Sequence, residues 1–233
     1  MTGGVRQIGA SPAQALRVFW DSSVGKKAIM AITGLIGIAF VIGHMVGNLQ
    51  VFQGKERLNA YGALLHGPLN EVLWVVRAVL IAAIVLHVVA AWQLTRRDRA
   101  ARPVAYRNRV PQVSTLASRT MRWGGVLLLA FIVLHVLHFT TGTLRPTGRF
   151  TAGDVYGNVT GSFRIWWVTL FYVVAMAALG LHLYHGAWSS VRSLGADTPA
   201  GDLRQRPVAI LVAVVVAGGF ALVPLAVLLG WVT

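Results

Sequence analysis

The chain has 233 residues, 56% of them hydrophobic and only 12% charged, with a mean hydropathy of +0.65. A soluble domain carries about twice that charged fraction, so an ordinary soluble fold is excluded and an integral membrane protein is expected. The net charge of +14 does not point to nucleic acid, because most Lys and Arg fall in short segments between apolar runs, where positive charge sets topology; the absence of cysteine excludes disulfides and an iron-sulfur cluster held by this chain alone.

The first residues contain Arg6, Pro12 and Arg17 but no apolar core of the kind that marks a cleaved leader. The first apolar segment is therefore expected to serve as its own insertion signal. Taking about 20 residues as the length that crosses about 30 Å of hydrocarbon, five spans follow in order: residues 28–49, 72–94, 123–143, 165–191 and 208–232. None shows the alternation of barrel strands, and a spanning backbone must satisfy its own hydrogen bonds, so all five are expected to be helices. The expectation is an all-α, five-helix membrane bundle forming a single domain over residues 1–233, with no internal repeat.

Charge orients the bundle. Arg6, Arg17, Lys26 and Lys27 precede or open the first span; Arg96, Arg97, Arg99, Arg102, Arg107, Arg109, Arg119 and Arg122 lie between spans two and three; Arg192, Arg204 and Arg206 lie between spans four and five. That is 15 on one side against five on the other, Lys55, Arg57, Arg145, Arg149 and Arg164. The positive-inside rule places the N-terminus in the cytoplasm. Arg77 remains, inside span two, where a cofactor carboxylate or snorkelling to the outer interface would satisfy it.

Four successive spans each carry a histidine deep in apolar surroundings: His44, His87, His135 and His182. At about 1.5 Å per residue, His44, 16 residues past Ala28, stands about 24 Å from the inner end, and His135, 12 past Trp123, about 18 Å. On the inward-running spans, His87 is seven residues short of Leu94 and His182 nine short of Val191, about 10 and 13 Å from the inner end. Two levels with two histidines each suit two six-coordinate haems, since haem iron takes an imidazole on each face and a bundle can hold the macrocycle between facing helices. Zinc is a poor alternative, because no Asp, Glu or Cys lies deep in a span to complete a site.

His138 and His185 follow His135 and His182 by three residues and are expected on the same helix faces. Depth slightly favours His138 as the partner of His44, and His185 lies near the level of His87, so the ligand on spans three and four stays open on the residues alone. The neighbours that do not ligate would bond haem propionates or quinone, or sit at interfaces, and His66 is read as a loop residue. Glycines such as Gly34, Gly37, Gly43 and Gly125 admit close helix approach and leave room beside the backbone.

The stretch GKKAIMAITGLIGIAFVIGHMVGNL, followed by LNAYGALLHG, resembles the cytochrome b membrane anchor of succinate:quinone oxidoreductases, the single-subunit, five-helix, two-haem type of bacterial succinate dehydrogenases and fumarate reductases. The resemblance extends along most of the chain: His44 in GHMVGN, His87 in LHVVAAW, His135 thirteen residues after Arg122, and His182 in HLYHGAWS. It implies His135 and His182 over His138 and His185 as ligands, and pairing of first with third and second with fourth helix. It further implies two b haems, a flavoprotein partner with covalent FAD, an iron-sulfur partner, and electron delivery to membrane quinone, menaquinone or ubiquinone, in the cytoplasmic membrane of a bacterium. The dicarboxylate chemistry would belong to the flavoprotein. Quinone candidates are His66, Glu71 and Asn48 on the outer side and Ser22, Arg17 and Trp20 on the inner; propionate candidates are Arg77, His138 and His185. Two other expectations compete, a cytochrome b subunit of another quinone-linked dehydrogenase or hydrogenase, and a haem-free membrane protein with structural histidines.

Overall fold

The structure is a computed structural model, described over residues 11–101, 115–196 and 199–233, with the side chains of 199–203 excepted. Arg6, Arg102, Arg107 and Arg109 of the charge count lie outside the described residues. All regular structure among the described residues is helical: α1 (Pro12–Asp21), α2 (Ser23–Asn48) continued by a 3₁₀ turn (Leu49–Gln53), α3 (Lys55–His66), α4 (Asn70–Ala100), α5 (Leu116–His135) continued by a π turn (Val136–Thr140), α6 (Val155–Phe163), α7 (Trp166–Ser193) and α8 (Pro199–Leu228). Five helices are long and apolar enough to cross a membrane: α2, α4, α5, α7 and α8. The chain is a multi-pass, all-helical membrane protein, and its five spans are those expected.

Their ends differ in instructive ways. Span three stops at Thr140 rather than residue 143, because Gly142 takes a left-handed φ of 62° that no helix continues. Span five stops at Leu228, where Gly230 with φ 76° turns the chain. Three segments expected to be loop or tail form helices. α1 has a capping box, with Ser11 and Gln14 satisfying each other's backbone N–H groups, and Pro at its start. α3 includes the segment LNAYGALLH, and Leu58 gives it a buried anchor. α6 is capped by Asp154, which accepts from Gly157 N at 3.1 Å.

The lipid-facing character of the spans is visible in their exposure. Ile81, Val126 and Val214 are each more than 60% exposed, a distribution that water would punish and hydrocarbon rewards. α7 is the most enclosed span and α4 the least, with 33% and 6% of their apolar windows buried. α7 packs on α2, α5 and α8, and α4 packs on α2. Around the interior the close contacts therefore run α4, α2, α7, α5, which leaves α2 opposite α5 and α4 opposite α7.

The two ends of the bundle are built differently. At one end α3 and α6 form a cap over a core of Val51, Leu58, Val159, Phe163, Tyr172 and Val223. Asn59 ties the cap together, donating to Asp154 Oδ1 at 2.9 Å and accepting from Tyr156 N at 2.9 Å. Lys55 adds an ion pair to Asp154 at 3.2 Å. At the other end Ser22 makes the corner between α1 and α2, accepting from Gly25 N and donating to the Phe19 carbonyl, both at 2.8 Å. Any Cβ at Gly25 would run into that same carbonyl, so the corner requires glycine.

Candidate functional site

The four span histidines meet in two pairs. His44 on α2 and His135 on α5 have ring centroids 5.9 Å apart; His87 on α4 and His182 on α7 are 6.2 Å apart. Each pair bridges helices that stand opposite one another, so the imidazoles reach into the interior where backbones do not close. The His44 and His135 pair lies toward the α3 and α6 cap, and the other toward α1.

These spacings test the fit of a haem. Two imidazoles held by one nitrogen each on opposite faces of a single metal, at about 2 Å per bond, have ring centres about 6 Å apart. Both pairs match. A Cβ added at Gly37, which lies nearly on the helical face of His44, or at Gly124 would meet no atom within 4 Å. Gly34 and Gly125 stand beside the other pair, where an added Cβ would come 3.5 Å from His87 Cε1 and 3.9 Å from His182 Cε1. Among the described residues no group of three or more His, Cys, Asp or Glu side chains could hold a metal ion directly. Each level offers two imidazoles and no third protein ligand, a donor set that would suit a metal held in a macrocycle.

Hydroxyl groups in the spans decide which ring nitrogen is free. Thr33 Oγ1 donates its only proton to the Ile29 carbonyl at 2.7 Å and lies 3.1 Å from His87 Nδ1. With that proton spent, Thr33 can only accept, so His87 carries its proton on Nδ1 and presents Nε2 with a lone pair. Tyr172 Oη stands 3.4 Å from His135 Nδ1, with a second imidazole nitrogen, His138 Nδ1, 3.0 Å away. His44 is stacked on Phe40, with centroids 5.3 Å apart and planes at 11°. His182 Nδ1 is buried with no hydrogen-bond partner.

The neighbouring histidines take other places. His138 is buried, with Nδ1 3.0 Å from Tyr172 Oη and Nε2 2.9 Å from Ser162 Oγ, so both its ring nitrogens are engaged by protein. The π turn accounts for this. Thr141 N reaches back five residues to the Val136 carbonyl at 3.0 Å, and the wider turn rotates His138 away from His135, against the expectation that the two share a helix face. His185 packs edge-on against Trp188 at 6.2 Å and has a buried Nδ1 with no hydrogen-bond partner, and no histidine is paired with it.

The other candidates scatter. Asn48 is one turn beyond His44; its amide donates to the His44 carbonyl at 2.7 Å and lies 3.3 Å from the ring. His66 and Glu71 are exposed at the corner between α3 and α4, and His66 Nδ1 bonds the Gly62 carbonyl at 2.9 Å. Arg77 lies over Trp74 of its own helix at 5.0 Å. Arg17 is exposed. Ser22 and Trp20 belong to the α1 corner, where they meet Lys26, a residue read from the sequence only as a topology charge. Lys26 is 1% exposed, donates to the Trp20 carbonyl and sits 4.6 Å over the Trp20 ring. Thr33, Tyr172, Ser162 and Lys26 are the site-forming residues that sequence reasoning missed. The signal that could have found the first two was a hydroxyl in an otherwise apolar span. Compared with protein-family models, curated proteins and solved structures, the chain matches none.

Proposed function

We propose that this chain is the membrane anchor and electron-transfer subunit of a succinate:quinone oxidoreductase of the two-haem type, working in the cytoplasmic membrane of a bacterium. The observation that carries the reading is the pair of histidine sites, 5.9 and 6.2 Å between ring centres, on opposite helices at two levels. In this reading His44 and His135 hold one haem b and His87 and His182 the other. Haem, when bound, supplies a one-electron carrier at each level.

The chain's own residues do the rest. Thr33, its own proton on a backbone carbonyl, accepts from His87 Nδ1–H, which keeps Nε2 free for a metal. The helices around the two pairs exclude water and fix ring position. The basic side of the bundle, with 15 Lys and Arg against five, faces the cytoplasm and offers a docking face for an iron-sulfur subunit and its flavoprotein, where succinate and fumarate would interconvert. Of the outer quinone candidates, Asn48 is the one beside a histidine pair.

A pyridine haemochrome assay on the purified complex is expected to give two b haems per copy of this chain, with a flavoprotein carrying covalent FAD co-purifying. A haem-free protein would overturn the reading.

A further inference from the structure

Ser162 at the end of α6, His138 in the π turn, Tyr172 on α7 and His135 on α5 form one connected line of hydrogen bonds, with links of 2.9, 3.0 and 3.4 Å. The line runs from the α6 cap to the histidine that faces His44.

Its protons can be counted. A neutral imidazole has one N–H, and a tyrosine hydroxyl has one proton to give. The line therefore runs in one of two senses. In the first, His135 Nδ1–H donates to Tyr172 Oη, Tyr172 donates to His138 Nδ1, and His138 Nε2–H donates to Ser162 Oγ. In the second every donor becomes an acceptor, and His135 carries its proton on Nε2, where it blocks metal binding. Only the first leaves the lone pair of His135 Nε2 free.

We propose that Tyr172 and His138, closed by Ser162, are positioning residues that hold His135 in the ligating tautomer. This rests on the function proposed above. Tyr172 acts directly on His135 and His138 acts through Tyr172; Ser162, whose hydroxyl can donate or accept, closes the far end in the sense that a metal at His135 Nε2 selects. The other pair solves the same problem with one residue, since Thr33 spends its proton on a backbone carbonyl and can only accept from His87. What the two pairs share is a hydroxyl oxygen set against the Nδ1 of a span histidine, Thr33 on His87 and Tyr172 on His135, and that recurrence supports a purpose beyond packing. It also explains why His138 is buried with both nitrogens bonded to protein, and why a tyrosine hydroxyl lies deep in the core under α6.

A hydrogen bond accepted from the distal N–H of an axial imidazole makes that ligand more basic and favours the ferric state. The test uses the full complex with two variants. Tyr172→Phe keeps the ring and removes the hydroxyl. It is expected to shift the ferrous to ferric ratio of the His44 and His135 haem about tenfold toward ferrous at fixed potential, a rise of about 59 mV for a one-electron couple, or to lower its occupancy. The His87 and His182 haem, unchanged in the same sample, is the internal control. Ser162→Ala is expected to shift the same haem in the same direction by less, and it decides the matter alone if Tyr172→Phe fails to accumulate. Wild-type haem content with both midpoints unmoved, in either accumulating variant, would overturn the inference. A wild-type complex without haem would instead refute the function on which it rests, and the two failures are told apart before any variant is made.

Discussion

Thr33, nearly three turns into the most glycine-rich span, illustrates how little chemistry a residue needs to set a site. Its hydroxyl is bonded to the Ile29 carbonyl and faces His87, and Thr33→Val would remove that acceptor from the buried His87 N–H at a cost of about 1–3 kcal/mol. The expected outcome is a weakened haem at the His87 and His182 level, by about tenfold or more in affinity, with the other level intact, read by haem content and redox titration. The histidines themselves give a sharper contrast. His44→Ala or His135→Ala should remove one haem and His87→Ala or His182→Ala the other, because each haem loses an axial ligand while its neighbour keeps both; loss of the same redox component from His44→Ala and His87→Ala would sink the pairing. The doubled histidines differ in kind. His135→Gln should lose its haem, whereas His138→Gln, which removes a buried partner of Tyr172 and Ser162, should retain it with an altered potential.

At the scale of the element, the cap formed by α3 and α6 depends on one carboxylate. The Asn59 amide, then the Gly157 backbone N–H, with a lesser part from the Lys55 ammonium, hold the Asp154 carboxyl below the usual carboxylate range against the opposing effect of burial. A carboxyl with a depressed folded value contributes stability that is complete above its unfolded value of about 3.9 and is lost as pH falls through the folded value. The protection factors of the α6 amides, taken against the intrinsic rate at each pH, are therefore expected to be high at neutral pH and to fall below about pH 4. Asp154→Ala, which also removes the N-cap at a cost of about 0.5–2 kcal/mol, should lower protection at both; equal protection of α6 in variant and wild type at neutral pH would contradict this account. The π turn is the element that matters most for the site. It is the five-residue step at Val136–Thr140 that sends His138 toward Ser162 instead of toward the interior.

At the scale of the molecule, orientation is the property on which docking of soluble partners depends. In the orientation proposed from the charge count, the segment after α4 is cytoplasmic and the α3 and α6 cap lies outside. The chain has no cysteine, so each introduced thiol is unique. In intact cells or spheroplasts, Thr151→Cys, beside the cap, is expected to react with an impermeant maleimide, and Arg99→Cys, at the end of α4, only after the membrane is opened. The reverse pattern would invert the topology and remove the basic face from the side where a succinate-oxidising partner would dock.

The sequence by itself determined the class, the five spans and the presence of a histidine on four of them, because hydrocarbon allows only one backbone solution and a 20-residue apolar run declares it. It also placed those histidines at two depths, since helix rise is constant. The pairing of first with third and second with fourth span follows from those depths, and the ring contacts agree with it. Tertiary structure alone decided two things: that His138 turns away from His135, which depends on a π turn that no periodicity announces; and that Thr33 and Tyr172 stand against ring nitrogens. Depth is a one-dimensional quantity that the sequence carries. Azimuth around each helix is not, because it is fixed by side chains meeting from other helices.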